Sequence, residues 1–304
     1  MTRLLVDEVA PRAGLQGEKR FVPTHEKIAF VDALSDCGFA RIEVTSFASA
    51  GAIPALADGR IVMREIRRVP GVTYTAMVPD VRGMERAIES GVDELNLAMS
   101  CSESHNVADL RRGRAESLAQ LLEIVRESGH GGVPCNVSLS CAFGCPFEGA
   151  VPVDDVARIA LALMAGGASG LTLCDTTGMA DPAGVGRVLA RVRGALPPGT
   201  TTIHLHDTRG MALANALAAL EHGATRFAAS CAGLGGCAHA PGASGNVSTE
   251  TLVHMFECMG HGTGVDLRRL LRVAARVPAL VGRPLVNALL AAGTRDPLHP
   301  LPAS

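Results

Sequence analysis

The sequence predicts an α/β chain folded as a (β/α)8 barrel of the TIM type with an additional C-terminal helical segment. Three observations carry that prediction. A helix-ending glycine followed closely by a short β-rich run recurs along the chain, at Gly38, Gly91, Gly167 and Gly223. Amphipathic helical stretches separate the β runs, so that each strand is followed by its own helix. Polar residues collect at the C-terminal ends of strands scattered over the whole chain, and a closed barrel brings such ends to one mouth. A doubly wound open sheet, the alternative, leaves most of them apart.

In chain order, strands are expected at residues 4–9, 41–45, 73–78, 94–98, 133–140, 170–174, 202–206 and 226–230. Helices are expected at 24–37, 60–68, 81–89, 115–128, 153–165, 182–193, 212–222 and 248–259, several opened by an early proline as in Pro23-Thr24 and Asp181-Pro182. Beyond about residue 265 the pattern turns to Leu- and Arg-rich helical turns without a strand. Residues 1–265 are therefore read as the catalytic barrel and 266–304 as a helical extension packed on it, or a subunit contact.

Composition narrows the function. A hydrophobic content of 47% across 304 residues describes a globular chain, and a net charge of −2 from 28 basic and 30 acidic residues gives no footprint for nucleic acid. The nine cysteines are odd in number and follow no basic-then-apolar leader, which points to a reducing cytoplasm. Cys141 and Cys145 are four apart, not a zinc-knuckle spacing. No uncharged apolar run is long enough to span a membrane, so none is expected.

Chemistry gathers between residues 201 and 246. In a strand, His204 and His206 project to the same face, one pleat apart, and make a clamp for a divalent ion. A pair of hydrogen-bonded core histidines is the plainer alternative. Asn246 is either the N-cap of the next helix or a neutral oxygen ligand beside the imidazoles, suited to Mg²⁺ or Mn²⁺. The loop from Gly233 to Gly245 has five glycines in thirteen residues and carries Cys237. It can act as a lid, with a phosphate-cradling loop as the weaker reading. Earlier in the chain, Glu43 on the second strand needs a cation or donor if buried, and Arg12 after the first strand is its expected partner, in either a catalytic or a structural pair. Asp175 follows the sixth strand and Asn96 lies on the fourth.

These residues also carry a resemblance. The run from Val9 to Lys19, the strand Ile42-Glu43-Val44-Thr45-Ser46-Phe47, the stretch from Ser140 to Gly149, Asp175-Thr176-Thr177-Gly178, His204-Leu205-His206-Asp207-Thr208 and the segment from Ala232 to Cys237 closely resemble the hydroxymethylglutaryl-CoA lyase family. That family belongs to the metal-dependent lyases and Claisen-condensing synthases built on a TIM barrel. The resemblance implies retro-Claisen cleavage of a 3-hydroxyacyl-CoA to acetyl-CoA and a keto acid or ketone. It implies His204, His206 and Asn246 as ligands of a divalent metal, Mg²⁺ or Mn²⁺, and Arg12 as the group that meets the enolate oxygen. Glu43 and Asp175 would join them in the catalytic cluster, with Cys237 as a mobile proton donor or acceptor and Gln16 and Lys19 on the substrate. An acyl-CoA is the implied partner, with no nucleic acid and no membrane, and a homodimer is the expected assembly. Three positions depart from the pattern. The family's metal-binding Asp after the arginine is Ala13, an aromatic is replaced by Arg209, and an acid on the eighth strand is Ala228. The departures leave two rival expectations: a relative with altered substrate and metal use, or a catalytically silent acyl-CoA-binding homologue.

Overall fold

In a computed structural model, which describes residues 3–194, 196–236 and 245–296, eight parallel strands close into a barrel in sequence order. They are β1 (Leu5–Glu8), β2 (Arg41–Ser46), β3 (Thr73–Met77), β4 (Glu94–Ser100), β5 (Cys135–Ser140), β6 (Gly170–Cys174), β7 (Thr201–His204) and β8 (Arg226–Ala229). Pairing of Asp7 with Ala228 and of Glu8 with Ile42 joins the first strand to both neighbours and leaves no edge.

The strands alternate with a period of two, and their two faces differ in character. Ile42, Val44, Leu95, Leu97, Val137, Leu139, Leu171 and Leu173 are fully buried and belong to the main core, between the strands and the surrounding helices. The intervening residues Glu43, Asn96, Asn136, Ser138, Thr172 and His204 face the lumen. The lumen is thus mainly polar, and the hydrophobic free energy resides in the outer shell.

That shell holds α1 (Thr24–Ser35), α2 (Gly59–Glu65), α3 (Val81–Glu89), α4 (Glu103–Leu110), α5 (Arg114–His130), α6 (Val153–Ala165), α7 (Pro182–Arg193), α8 (Ala212–Glu221) and α9 (Thr249–Cys258). Three local features differ from the sequence reading. Helix α4 was not expected; its buried residues are the polar His105 and Asn106, so it has no apolar stripe to announce it. Helix α2 stops at Glu65, because Ile66 turns to extended backbone. Strand β7 ends at His204, and His206 leaves the ladder to form an isolated bridge with Asn246.

The N-terminal end of the barrel is closed by ions. Arg226 Nε lies 2.8 Å from Asp7 Oδ2 and Arg41 Nη2 lies 2.6 Å from Glu94 Oε2, with both carboxylates buried. At the end of β1, Glu8 is fully buried and accepts from the Ala10 and Cys231 amides and the Thr249 hydroxyl. Burial pushes its carboxyl up to about 8 despite those donors, so Glu8 is protonated at neutral pH.

The chain continues as α10 (Leu267–Ala274), α11 (Val277–Val281) and α12 (Ala288–Ala292). Asp266 N donates to Cys37 O at 2.7 Å, Arg283 grips Glu18 with two nitrogens, and Asn287 donates to Glu250, so the extension is bound to the shell at several points. No helix among the described residues is long and apolar enough to cross a membrane.

Candidate active site

The site is built at the C-terminal ends of the strands, starting with a wide turn after β1. Residues Ala10–Gly14 form a single turn of π-helix, which projects Arg12 and Ala13 from adjacent positions into the mouth. Such turns interrupt regular structure and are frequent at functional sites. Arg12 Nε donates to Glu43 Oε2 at 2.6 Å, and Arg12 Nη2 lies 2.5 Å from the same oxygen. The pair expected between these residues is therefore present.

Glu43 is held from its other side as well. Asn96 Nδ2 donates to Glu43 Oε1 at 2.6 Å, while Asn96 Oδ1 accepts from Asn136 Nδ2 at 3.0 Å and Ser138 Oγ at 2.9 Å. Asn136 Nδ2 also donates to Thr172 Oγ1 at 2.9 Å. Four strands thus contribute to one polar ladder that ends on the carboxylate, leaving the guanidinium little freedom. Asn136 and Thr172 escaped the sequence reading. Their signal was the strand alternation, which places them on the face of Ser138 and Cys174.

Across the mouth the His204 and His206 rings lie with centroids 5.2 Å apart, edge to face. Burial drives both basicities down, to about 3 for His204 and about 4 for His206, and the nearby Arg12 charge lowers them further. Both rings are neutral at pH 7, the state that binds a metal ion. The Asn246 amide sits against them and favours their protonated forms. Its Oδ1 and the Nδ1 of His206 are nevertheless buried without a hydrogen bond of normal geometry among the described residues, while Asn246 Nδ2 donates to Leu234 O at 2.7 Å. Asn246 does not cap α9, because Ser248 does, accepting from Thr251 N.

Two neutral imidazoles and an orphaned amide oxygen facing one cavity fit a divalent cation, with water or substrate oxygen completing its shell. No group of three or more His, Cys, Asp or Glu side chains among the described residues could hold an ion by itself. Position 13, beside these donors, supplies only a methyl group.

The cavity they share has a volume of about 680 Å³ and extends from the barrel lumen to α4 and α5, where Asp109, Arg112 and Gln120 line it. Gln16 lies on its wall and accepts from Arg12 Nη1 at 3.4 Å. Lys19 is exposed and outside the wall. Asp175 is buried behind the wall; its Oδ1 accepts from the Met179 and Ala180 amides, and its Oδ2 has no partner among the described residues. Burial raises its carboxyl to about 6, against those amides and Arg209. Arg209 itself donates to Thr177 O and Gly178 O, joining two mouth loops. The structure thus gathers Arg12, Glu43, Gln16, His204, His206 and Asn246 around the cavity and leaves Asp175 and Lys19 off its wall. Cys237 lies outside the described residues.

The model of the HMGL-like family matches residues 4–277 of the chain. The chain belongs to that family. Its relatives include hydroxymethylglutaryl-CoA lyase YngG of Bacillus subtilis, 42% identical over 283 residues that cover 93% of this chain and 95% of that one. The human cytoplasmic 3-hydroxy-3-methylglutaryl-CoA lyase is 40% identical over 264 residues, 87% of this chain and 71% of the human one. Among solved structures, an HMG-CoA lyase from Acinetobacter baumannii in complex with coenzyme A and 3-methylmalate superposes with a TM-score of 0.95 at 43% identity, covering 99% of this chain and all of that one. The family match thus spans the whole barrel and, beyond it, α10.

Proposed function

We propose that this HMGL-like chain is a carbon-carbon lyase that cleaves 3-hydroxy-3-methylglutaryl-CoA, or a closely related 3-hydroxyacyl-CoA, to acetyl-CoA and a keto acid. The observation that carries the reading is one cavity with a fixed guanidinium on one side and buried, unpartnered metal-type donors on the other. Relatives named as lyases of this thioester, and one holding coenzyme A with a hydroxy diacid, support it.

The family is generally dependent on a divalent metal. His204, His206 and Asn246 would hold it, with Mg²⁺ or Mn²⁺ as the proposed ion. When bound, it acidifies the substrate hydroxyl and fixes the oxygens around it. Arg12 meets negative charge as it develops on the thioester oxygen, and its position is set before the reaction by Glu43 and, through Glu43, by Asn96. Gln16 steadies the outer nitrogen of the guanidinium. The neutral imidazoles add no competing positive charge to the mouth. Cys237 is proposed to supply the proton that converts the acetyl carbanion to a methyl group. Asp175, behind the wall, is given a supporting role through the Met179–Ala180 loop.

A cytoplasmic location and a homodimer complete the proposal, the first from cysteine usage and the second from the helical extension; sedimentation of the purified chain checks the assembly. The deciding experiment is a panel of 3-hydroxyacyl-CoA thioesters assayed for acetyl-CoA release. Release from the hydroxymethylglutaryl thioester supports the reading. Coenzyme A thioesters that bind but are never cleaved, at any metal concentration, would leave the silent homologue in its place.

A further inference from the structure

Val9, Ala13 and Ala228 form a small apolar cluster separate from the main core, and all three line the reaction cavity. They come from the residue just after β1, the π turn and β8, so the cluster is closed by tertiary contact with β8 and not by a local run alone. Around it the cavity wall is polar: Ala228 is the register partner of His204, whose ring bonds to the Ala228 backbone. On the other side, a side chain at Gly235 would start 2.7 Å from both the Ala13 carbonyl and Asn246 Nδ2, which places Ala13 next to the amide. The patch therefore abuts the metal-type donors from two directions.

Two of its three members are alanines, so the patch is recessed as well as apolar. Positions 13 and 228 meet here although they lie at opposite ends of the barrel sequence. Hydrocarbon at this point has no polar group to offer a ligand. A hydroxyl or carboxylate pressed against it would lose water without replacement, whereas an alkyl group would release water from both surfaces.

We propose that this patch seats the alkyl substituent on the hydroxyl-bearing carbon of the substrate, and that it admits groups larger than methyl. The inference rests on the lyase reading above and narrows its substrate class to 3-hydroxy-3-alkylglutaryl thioesters of coenzyme A. Cleavage of the 3-ethyl compound balances without a further reactant. The hydroxyl gives up its proton, the C3–O bond becomes a carbonyl, and the C2–C3 bond breaks with its electron pair going to C2. Protonation of C2 then yields acetyl-CoA, and the other fragment is 3-oxopentanoate.

The test compares the 3-methyl, 3-ethyl and 3-propyl thioesters. Their dissociation constants are measured by calorimetry in EDTA, which needs no turnover, and their kcat/KM values by acetyl-CoA release with added metal. Each added methylene should tighten binding by about fourfold, the factor for burying one CH₂. Weaker binding of the ethyl than of the methyl compound overturns the proposal. Ala228→Leu fills the recess and should remove the advantage of ethyl over methyl; an unchanged preference in a variant that melts like the parent also overturns it. If the ethyl thioester binds more tightly but none of the three is cleaved, the patch stands as an alkyl subsite and the lyase reading fails.

Discussion

Replacing Glu43 by Gln keeps the shape of the side chain and removes its charge, at the point where the polar ladder meets Arg12. The carboxylate presently gives one oxygen to Arg12 and the other to Asn96, at 2.6 Å each. A glutamine has one acceptor oxygen, so either Arg12 or Asn96 must then face an NH₂ group, donor against donor. Breaking a buried ion pair by removing one partner costs about 3–5 kcal/mol. The Arg12 side chain is still 14% exposed, so water can take up part of the loss, and about 2–3 kcal/mol is expected. With about 2.1 cal/mol/K of unfolding entropy per residue over 304 residues, that lowers the melting temperature by only about 3–5 °C. Activity should suffer far more. Losing one aligned donor to a developing oxyanion costs about 10²–10³ in kcat, and a guanidinium freed from Glu43 loses that alignment. The assay is acetyl-CoA release at saturating metal, beside a thermal melt of the same preparation. Turnover within about threefold of the parent would refute the argument that Glu43 aims Arg12. So would collapse of the fold, which would make the pair a structural one.

Three other outcomes follow from the site and its surroundings. Ala13→Asp is expected to tighten Mg²⁺ or Mn²⁺ binding by at least about 10–100-fold and to raise lyase activity with it, as read by calorimetric metal titration; tight binding by the alanine form would redraw the ligand set. Cys237→Ser should lose about 10²-fold or more in kcat with little change in melting temperature, and equal turnover would remove the thiol from the mechanism. Glu8→Gln concerns stability alone: the native carboxyl is raised from 4.5 to about 8, so the folded chain binds the extra proton and loses stability as pH rises through that window. Denaturant melts should show the variant gaining on the parent from pH 5 to pH 9, and a gap that does not change with pH would show that Glu8 is already ionised in the fold.

The barrel was legible because its signals are local and repeated. Glycines at helix ends and β-rich runs between amphipathic stretches can be read without knowing any tertiary contact. The Arg12–Glu43 pair was legible by elimination, since a buried glutamate on a strand needs a cation and Arg12 follows the neighbouring strand. The rest depends on closure. Asn136 and Thr172 join the cavity wall only when β5 and β6 curve round towards Glu43. The same holds for the floor, whose Asp7, Arg41, Glu94 and Arg226 lie on four strands and meet only in the barrel. His206 and Asn246 do lie together, but not by the strand geometry that was expected. The expected strand ends two residues early, and a bridge between His206 and Asn246 brings the donors together. Helix α4 was hidden because polar side chains, anchored by hydrogen bonds such as Asn106 Nδ2 to Ser117 Oγ at 2.8 Å, take the place of an apolar face.

The ionic floor made by Asp7, Arg41, Glu94 and Arg226 turns the lumen into a dead end instead of a tube. A thioester that enters through the mouth and is cut inside leaves two fragments with a single exit between them. The one lodged deeper cannot depart until the one above it has gone, so release is a queue whose order is fixed by depth. An excess of the fragment that leaves first should hold the other inside, an inhibition that additional substrate does not relieve.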